Sequence, residues 1–174
     1  MSFQRRGSGE FTTAFGSLAG YVKGDIEIIN DDVKSYAFSN VFDVAACSPP
    51  YEKVVVAKNR QYVIEALRAE GTSPWFSASH DEFALVMDGR VEIELVKLDF
   101  PGTVVSPGSE GSVRLVGSPV GRNMGFMRLG RGHQALLPPG AAYRFSAKVG
   151  IGVIALQTIL GPHSVQKWSA ICRT

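Results

Sequence analysis

The chain has 174 residues, 45% of them hydrophobic, and a formal charge of +2 from 18 basic and 16 acidic side chains mixed along its length. That is enough sequence for one globular domain with a real core. It has no basic block to follow a phosphate backbone and no apolar run near the ~20 residues of a bilayer span, so neither nucleic acid nor membrane is an expected partner.

In chain order, residues 1–22 are mixed and Gly-rich and read as an N-terminal arm, with a single domain over residues 23–174. Met1-Ser2-Phe3-Gln4-Arg5-Arg6 is followed by Gly, Ser and Thr rather than an apolar segment. No signal peptide is visible, and a soluble cytoplasmic protein is the expectation. Cys47 and Cys172 lack metal-type spacing and read as two ordinary thiols, although sequence leaves a disulfide open.

Gly24–Asn30 alternates Ile with polar residues and predicts a strand. Tyr36–Ala46 and Glu52–Lys58 are β-branched and aromatic enough for two more, and Gln61–Ala69 follows as a strand, with a short helix as its alternative. Glu82–Met87 and Val91–Leu98 flank Asp88-Gly89, a pair suited to a tight hairpin turn. In the second of these, Val91, Ile93 and Leu95 share one face and Glu92 and Glu94 the other.

Pro101–Arg122 is rich in Gly, Ser and Pro and reads as a long surface excursion, with a small hairpin of its own around SVRLVG. Strands resume at Phe126–Leu129, Gln134–Leu137, Tyr143–Ala147 and Val153–Ile159. Val165, Trp168 and Cys172 stand at helical spacing behind Pro162, predicting a short final helix. Eight to ten evenly spaced strands point to an all-β sandwich or barrel that closes on itself.

Two segments carry a motif. Gly71 opens the first, Glu82 stands eleven residues on, and Gly89 closes it after six more. The second runs Gly132, five residues, Pro138, one residue, Gly140, two residues, Tyr143. Both resemble the paired motifs of the cupin family, an antiparallel β-barrel or jelly roll. There a His-x-His pair precedes the Glu, and the second motif ends on His. Here the first pair is Phe76 and Ala78, or Trp75 and Ser77 with a bulge, and the last His is Tyr143.

Such sites hold a metal with imidazoles and one carboxylate. Phe, Ala, Trp and Ser cannot ligate a cation, and a neutral phenol does so poorly, so no metal is expected in this chain. His80 lies two residues before Glu82 and on a regular strand would share its face, still short of three ligands. Glu82 is expected to hydrogen-bond Tyr143 or an arginine such as Arg144. His133 falls at a turn and His163 opens the final helix, neither with companions at ligand spacing. Trp75, after Pro74, alternates to the opposite, outward face, where an aromatic with Phe76 beside it suits an interface anchor.

Longer stretches carry a closer resemblance: SLAGYVKGDIEIINDDVKSYAFSNVFDVAA, SPPYEKVVVAKNRQYV, EGTSPWFSASHDEFALVMDGRVEIELVKLD and GRGHQALLPPGAAYRF. They resemble the small subunit of two-subunit hydroquinone 1,2-dioxygenases. The resemblance implies a cupin-like barrel with an N-terminal arm and a short C-terminal helix. It also implies a non-catalytic role beside a larger subunit, two of each, in which the larger subunit carries Fe(II). Together they cleave hydroquinone with O2 to 4-hydroxymuconic semialdehyde.

No iron-binding role carries over to any residue of this chain. Trp75, Phe76, His80, Glu82 and Tyr143 are the candidates for a substrate pocket or partner interface. Two other readings stay open: a stand-alone metal-free cupin binding a small aromatic, and a metal-free epimerase drafting His80, Asp81 and Tyr143.

Overall fold

In a computed structural model of the chain, residues 41–58 and 61–159 are described. The proposed arm, the Gly24–Asn30 strand and the final helix lie outside them. A short helix, α1 (Val41–Cys47), leads into β1 (Val54–Lys58), β2 (Tyr62–Thr72), β3 (Phe76–Ala78), β4 (Glu82–Asp88) and β5 (Arg90–Leu98). After α2 (Pro101–Val104) come β6 (Ser112–Arg114), β7 (Gly121–Gly130), β8 (Gln134–Leu137) and the 19-residue β9 (Ala141–Ile159).

β9 is the spine. Its C-terminal half pairs antiparallel with β2 on one side and β4 on the other, and its N-terminal half with β3 and β5. Beyond these, β1 pairs with β2, β6 with β3, β8 with β4 and β7 with β5. The result is two five-stranded layers, β1-β2-β9-β4-β8 and β6-β3-β9-β5-β7, joined through the bend of β9. This is the cupin-like, all-β architecture expected from the motifs.

The interior between the layers holds Leu67, Ala69, Ala84, Val86, Val91, Ile93, Leu137, Phe145, Ile154 and Leu156, all buried in one cluster. The alternation of burial along β4, and along β5 as far as Leu95, puts every second residue there. Glu92 and Glu94 face the other way, as the alternation predicts.

Four expectations need correcting. The Asp88-Gly89 turn has the positive φ expected of it (+74°), but β4 and β5 do not pair with each other. Both lie along β9, as one bent ribbon. Gly89 is required there, because a Cβ would come 2.6 Å from the Ile151 carbonyl oxygen and 2.7 Å from Gly152 Cα. The turn signal is local, whereas the choice of partner is made by a strand some 60 residues away.

Tyr36–Ala46 was expected as a strand, yet from Val41 onward it is helical. Val41, Val44 and Ala45 sit at i, i+3 and i+4, and Val44 packs with Val54, Val56 and Ala66 in a second cluster on the outside of the β1–β2 pair. Pro49 and Pro50 follow, where a helix cannot continue.

The 101–122 excursion forms no hairpin of its own. It sends β6 back to extend the second layer beside β3. Tyr143–Ala147 and Val153–Ile159 are one continuous strand, with Gly150 at φ +74° between them. Among the described residues the sheet is curled, and β1, β6, β7 and β8 each pair on one side only.

Candidate functional site

The motif residues meet in the interior, and the structure resolves their register. Phe76 pairs with Tyr143 across β3 and β9, and their rings lie 5.9 Å apart inside the core. Phe76 and Ala78 are therefore the inward pair, both buried. Trp75 is on the outer face, as its alternation predicts. Phe76 is a core residue beside it, so the two do not form one exposed aromatic patch.

Tyr143 donates its hydroxyl to Glu82 Oε2, with both side chains buried. Burial, reinforced by the Glu82 charge, pushes the Tyr143 phenol well above the usual tyrosine range, so it stays protonated as a donor. The Glu82–Tyr143 pair expected from the motif spacing is present. Arg144, the alternative partner, points to the outer face instead. Glu82 Oε1 is buried and has no hydrogen-bond partner among the described residues.

Three further residues join this centre without having been singled out in the sequence. Lys53 reaches in from the chain just before β1. Its Nζ lies 3.2 Å from Glu65 Oε2, 2.5 Å from Ser112 Oγ and 5.1 Å from the Phe76 ring centroid. Ser112 lies near enough to Tyr143 to lower its phenol somewhat against the upward push of burial. Two sets of contacts thus lie side by side, Glu65–Lys53–Ser112 and Tyr143–Glu82, drawn from β2, the β1 entry, β6, β9 and β4. Glu65 had a signal: it alternates with Val63, Leu67 and Ala69 on an otherwise apolar face. Lys53 and Ser112 had none.

His80 is not on the strand at all. It occupies a bend before β4, so the alternation that would align it with Glu82 does not reach it. Its Nδ1 lies 3.0 Å from the Asp81 carbonyl oxygen, and Nε2 accepts the Gly111 N–H at 2.9 Å. The neighbouring Ser79 hydroxyl donates to the Ser109 carbonyl. His80 therefore fastens the 109–111 loop, and Tyr143 is committed to Glu82, which leaves neither as a free acid or base for an epimerase. His133 sits after the Arg131–Gly132 turn, with Nδ1 3.1 Å from the Gly130 carbonyl oxygen. Cys47, at the end of α1, is an exposed free thiol.

On the outer face Trp75 is half-buried between β2 and β3. The Arg144 guanidinium stacks 4.6 Å from the centre of its ring, and Arg144 Nη2 donates to Glu94 Oε2 at 2.8 Å. The Trp75 carbonyl accepts the Leu115 N–H at 2.8 Å. The indole is thus held from behind and through its own backbone.

The donor set does not fit a cupin metal. Three or more nitrogen or oxygen ligands must converge on one ion. Phe76 and Ala78 supply none, Tyr143 is a neutral phenol bound to Glu82, and an ammonium already lies in the interior. Among the described residues no group of three or more His, Cys, Asp or Glu side chains comes together. No helix among them is long and apolar enough to cross a membrane.

No protein-family model and no curated protein sequence matches the chain. Solved structures do. Hydroquinone 1,2-dioxygenase from Sphingomonas sp. TTNP3, with 4-hydroxybenzoate bound, is 54% identical over 95% of this chain and 99% of that one, with a TM-score of 0.75. Hydroquinone 1,2-dioxygenase PnpCD, in complex with Cd2+ and 4-hydroxybenzonitrile, is 56% identical over 93% of this chain and 96% of that one, with a TM-score of 0.72. BH2720 from Bacillus halodurans matches at a TM-score of 0.50 over 73% of this chain and 84% of its own. At 10% identity that match bears on the fold alone.

Proposed function

Because the chain belongs to the hydroquinone 1,2-dioxygenase family, we propose that it is the small, non-catalytic subunit of a two-subunit, Fe(II)-dependent enzyme. The observation that carries this reading is the filling of the motif interior by Phe76, Ala78 and Tyr143 in place of ligands. The iron then belongs to a larger partner subunit, with two copies of each in the assembly, working in the cytoplasm. The reaction is ring cleavage of hydroquinone by one O2, giving 4-hydroxymuconic semialdehyde. The para-hydroxy aromatics bound by the two relatives suit a pocket for a ring with polar groups at opposite ends.

This chain's part is to bind the larger subunit, cover its pocket and exclude water, which limits side reactions of activated oxygen. Trp75 is the side chain best built for that work. It is large, outward and braced by Arg144, so presenting its free surface to a partner or a flat ring demands little ordering. Phe76, Glu82 and Tyr143 support it from inside by fixing the β3–β9 pairing, and His80 does so by fixing the adjoining loop.

The test is to purify this chain alone, the larger subunit alone and the two co-expressed, and measure iron and hydroquinone-dependent O2 uptake in each. The reading predicts iron with the larger subunit and full turnover only in the complex. Stoichiometric iron together with turnover in this chain by itself would overturn it.

A further inference from the structure

We propose that the Lys53 ammonium is this barrel's own replacement for a bound metal cation, an internal counter-ion seated against the motif residue Phe76. Among the described residues the buried charged side chains are Lys53, Glu65 and Glu82, one cation and two carboxylates. Lys53 contacts Glu65 and Ser112 directly, and both its partner Phe76 and the second carboxylate, Glu82, share the neighbourhood of Tyr143. Phe76 stands where a metal-binding barrel has its first imidazole, and it offers a ring face to the ammonium instead. One cation thus accounts for three contacts: imidazole donors are useless to an ammonium, whereas the Glu65 carboxylate, the Ser112 hydroxyl and the Phe76 ring face all suit one.

The placement also explains how the layers are tied. Lys53 enters beside β1, Glu65 lies on β2 and Ser112 on β6, so the ammonium joins the edge of one layer to the edge of the other. A metal would do this by coordination, and here a covalently tethered cation does it. The described interior thus carries a cation of its own. The inference concerns this chain alone and stands whether or not a dioxygenase subunit is its partner.

A buried ion pair that loses one member leaves an uncompensated charge, whereas replacing both members by apolar groups of similar volume is often tolerated. The full chain is compared with K53M, K53A and K53M/E65M by thermal unfolding, with and without EDTA, Mn2+ or Zn2+, and metal content is measured after dialysis. The wild-type midpoint is expected to stay within about 1 °C under every metal condition. K53M is expected to fall by about 6 °C or more, and K53M/E65M to regain at least half of that.

K53A opens a hole beside Glu65, and millimolar ethylammonium is expected to raise its midpoint while ethanol at the same concentration does not. If K53A and K53M fail to fold, recovery of folded protein in K53M/E65M supports the proposal, and its failure overturns it. A K53M midpoint equal to the wild type, equal rescue by ethanol, or stoichiometric metal retained by the wild-type chain would each overturn it as well.

Discussion

Replacing Tyr143 with Phe removes one oxygen from the middle of the barrel and leaves its volume nearly unchanged. That oxygen is the donor to Glu82 Oε2, and Glu82 Oε1 has no partner among the described residues. A hydrogen bond to a charged group contributes about 1.5–3 kcal/mol, and stranding a buried carboxylate costs about 3–5 kcal/mol. A loss of about 2–4 kcal/mol is therefore expected at pH 7, read as the shift in urea midpoint times an unchanged m-value.

The pH dependence checks the same contact from a second direction. The Tyr143 pKa is raised in the folded state above the ordinary value of 10.0, so the unfolded chain releases its proton first. Tyr51, whose hydroxyl donates to the Gly71 carbonyl, is pushed by burial to about 12. Both contributions are full below pH 10 and are lost as pH rises beyond it. Each adds a slope of about −1.4 kcal/mol per pH unit. In Y143F the alkaline slope should fall by one such increment, leaving that of Tyr51, and Y143F/E82L should recover at least half of the stability lost at pH 7. A Y143F protein within about 0.5 kcal/mol of the wild type, with the same alkaline slope, would refute the reasoning.

Three other substitutions separate scaffold from surface. G89A places a Cβ 2.6 Å from the Ile151 carbonyl oxygen at a φ of +74°, and a loss of about 3 kcal/mol or more is expected. It should show as little soluble protein or a sharply lowered urea midpoint. Trp75→Ala should leave the far-ultraviolet circular dichroism of the free chain unchanged while weakening its complex with the larger subunit at least 30-fold by calorimetry, or about 2 kcal/mol. In a W168F background, Arg144→Met should increase acrylamide quenching of the remaining Trp75 fluorescence. It should cost under about 1 kcal/mol of stability, because the Arg144–Glu94 pair is partly solvated.

The alternation of Val91, Ile93 and Leu95 with two glutamates was enough to place β5, because a strand with one buried face writes its period directly into the chain. The Glu82–Tyr143 contact was legible for a different reason: motif spacing brings both residues to one interior. Other features turned on distance. The Asp88-Gly89 signal is the same whether the flanking strands fold onto each other or continue along β9, and only the partner 60 residues away decides. Lys53 reads as an ordinary residue at the start of a VVVAK strand until β2 and β6 are folded around it. In α1, β-branched and aromatic residues favoured a strand, but the groove beside β1 and β2 takes a helical face.

The central position of β9 also sets an order of events during synthesis. Tyr62 at the start of β2 has its partner, Ile159, about 100 residues later, and β3, β4 and β5 all await the same strand. At roughly 5–20 residues per second, β2 leaves the ribosome about 5–20 s before the strand it needs. Closing loops of that length precedes any gain from pairing, which makes for slow folding. Through that interval the apolar faces of β2, β4 and β5 are exposed together. Chaperone binding during translation should therefore begin as these strands emerge and end once β9 is out.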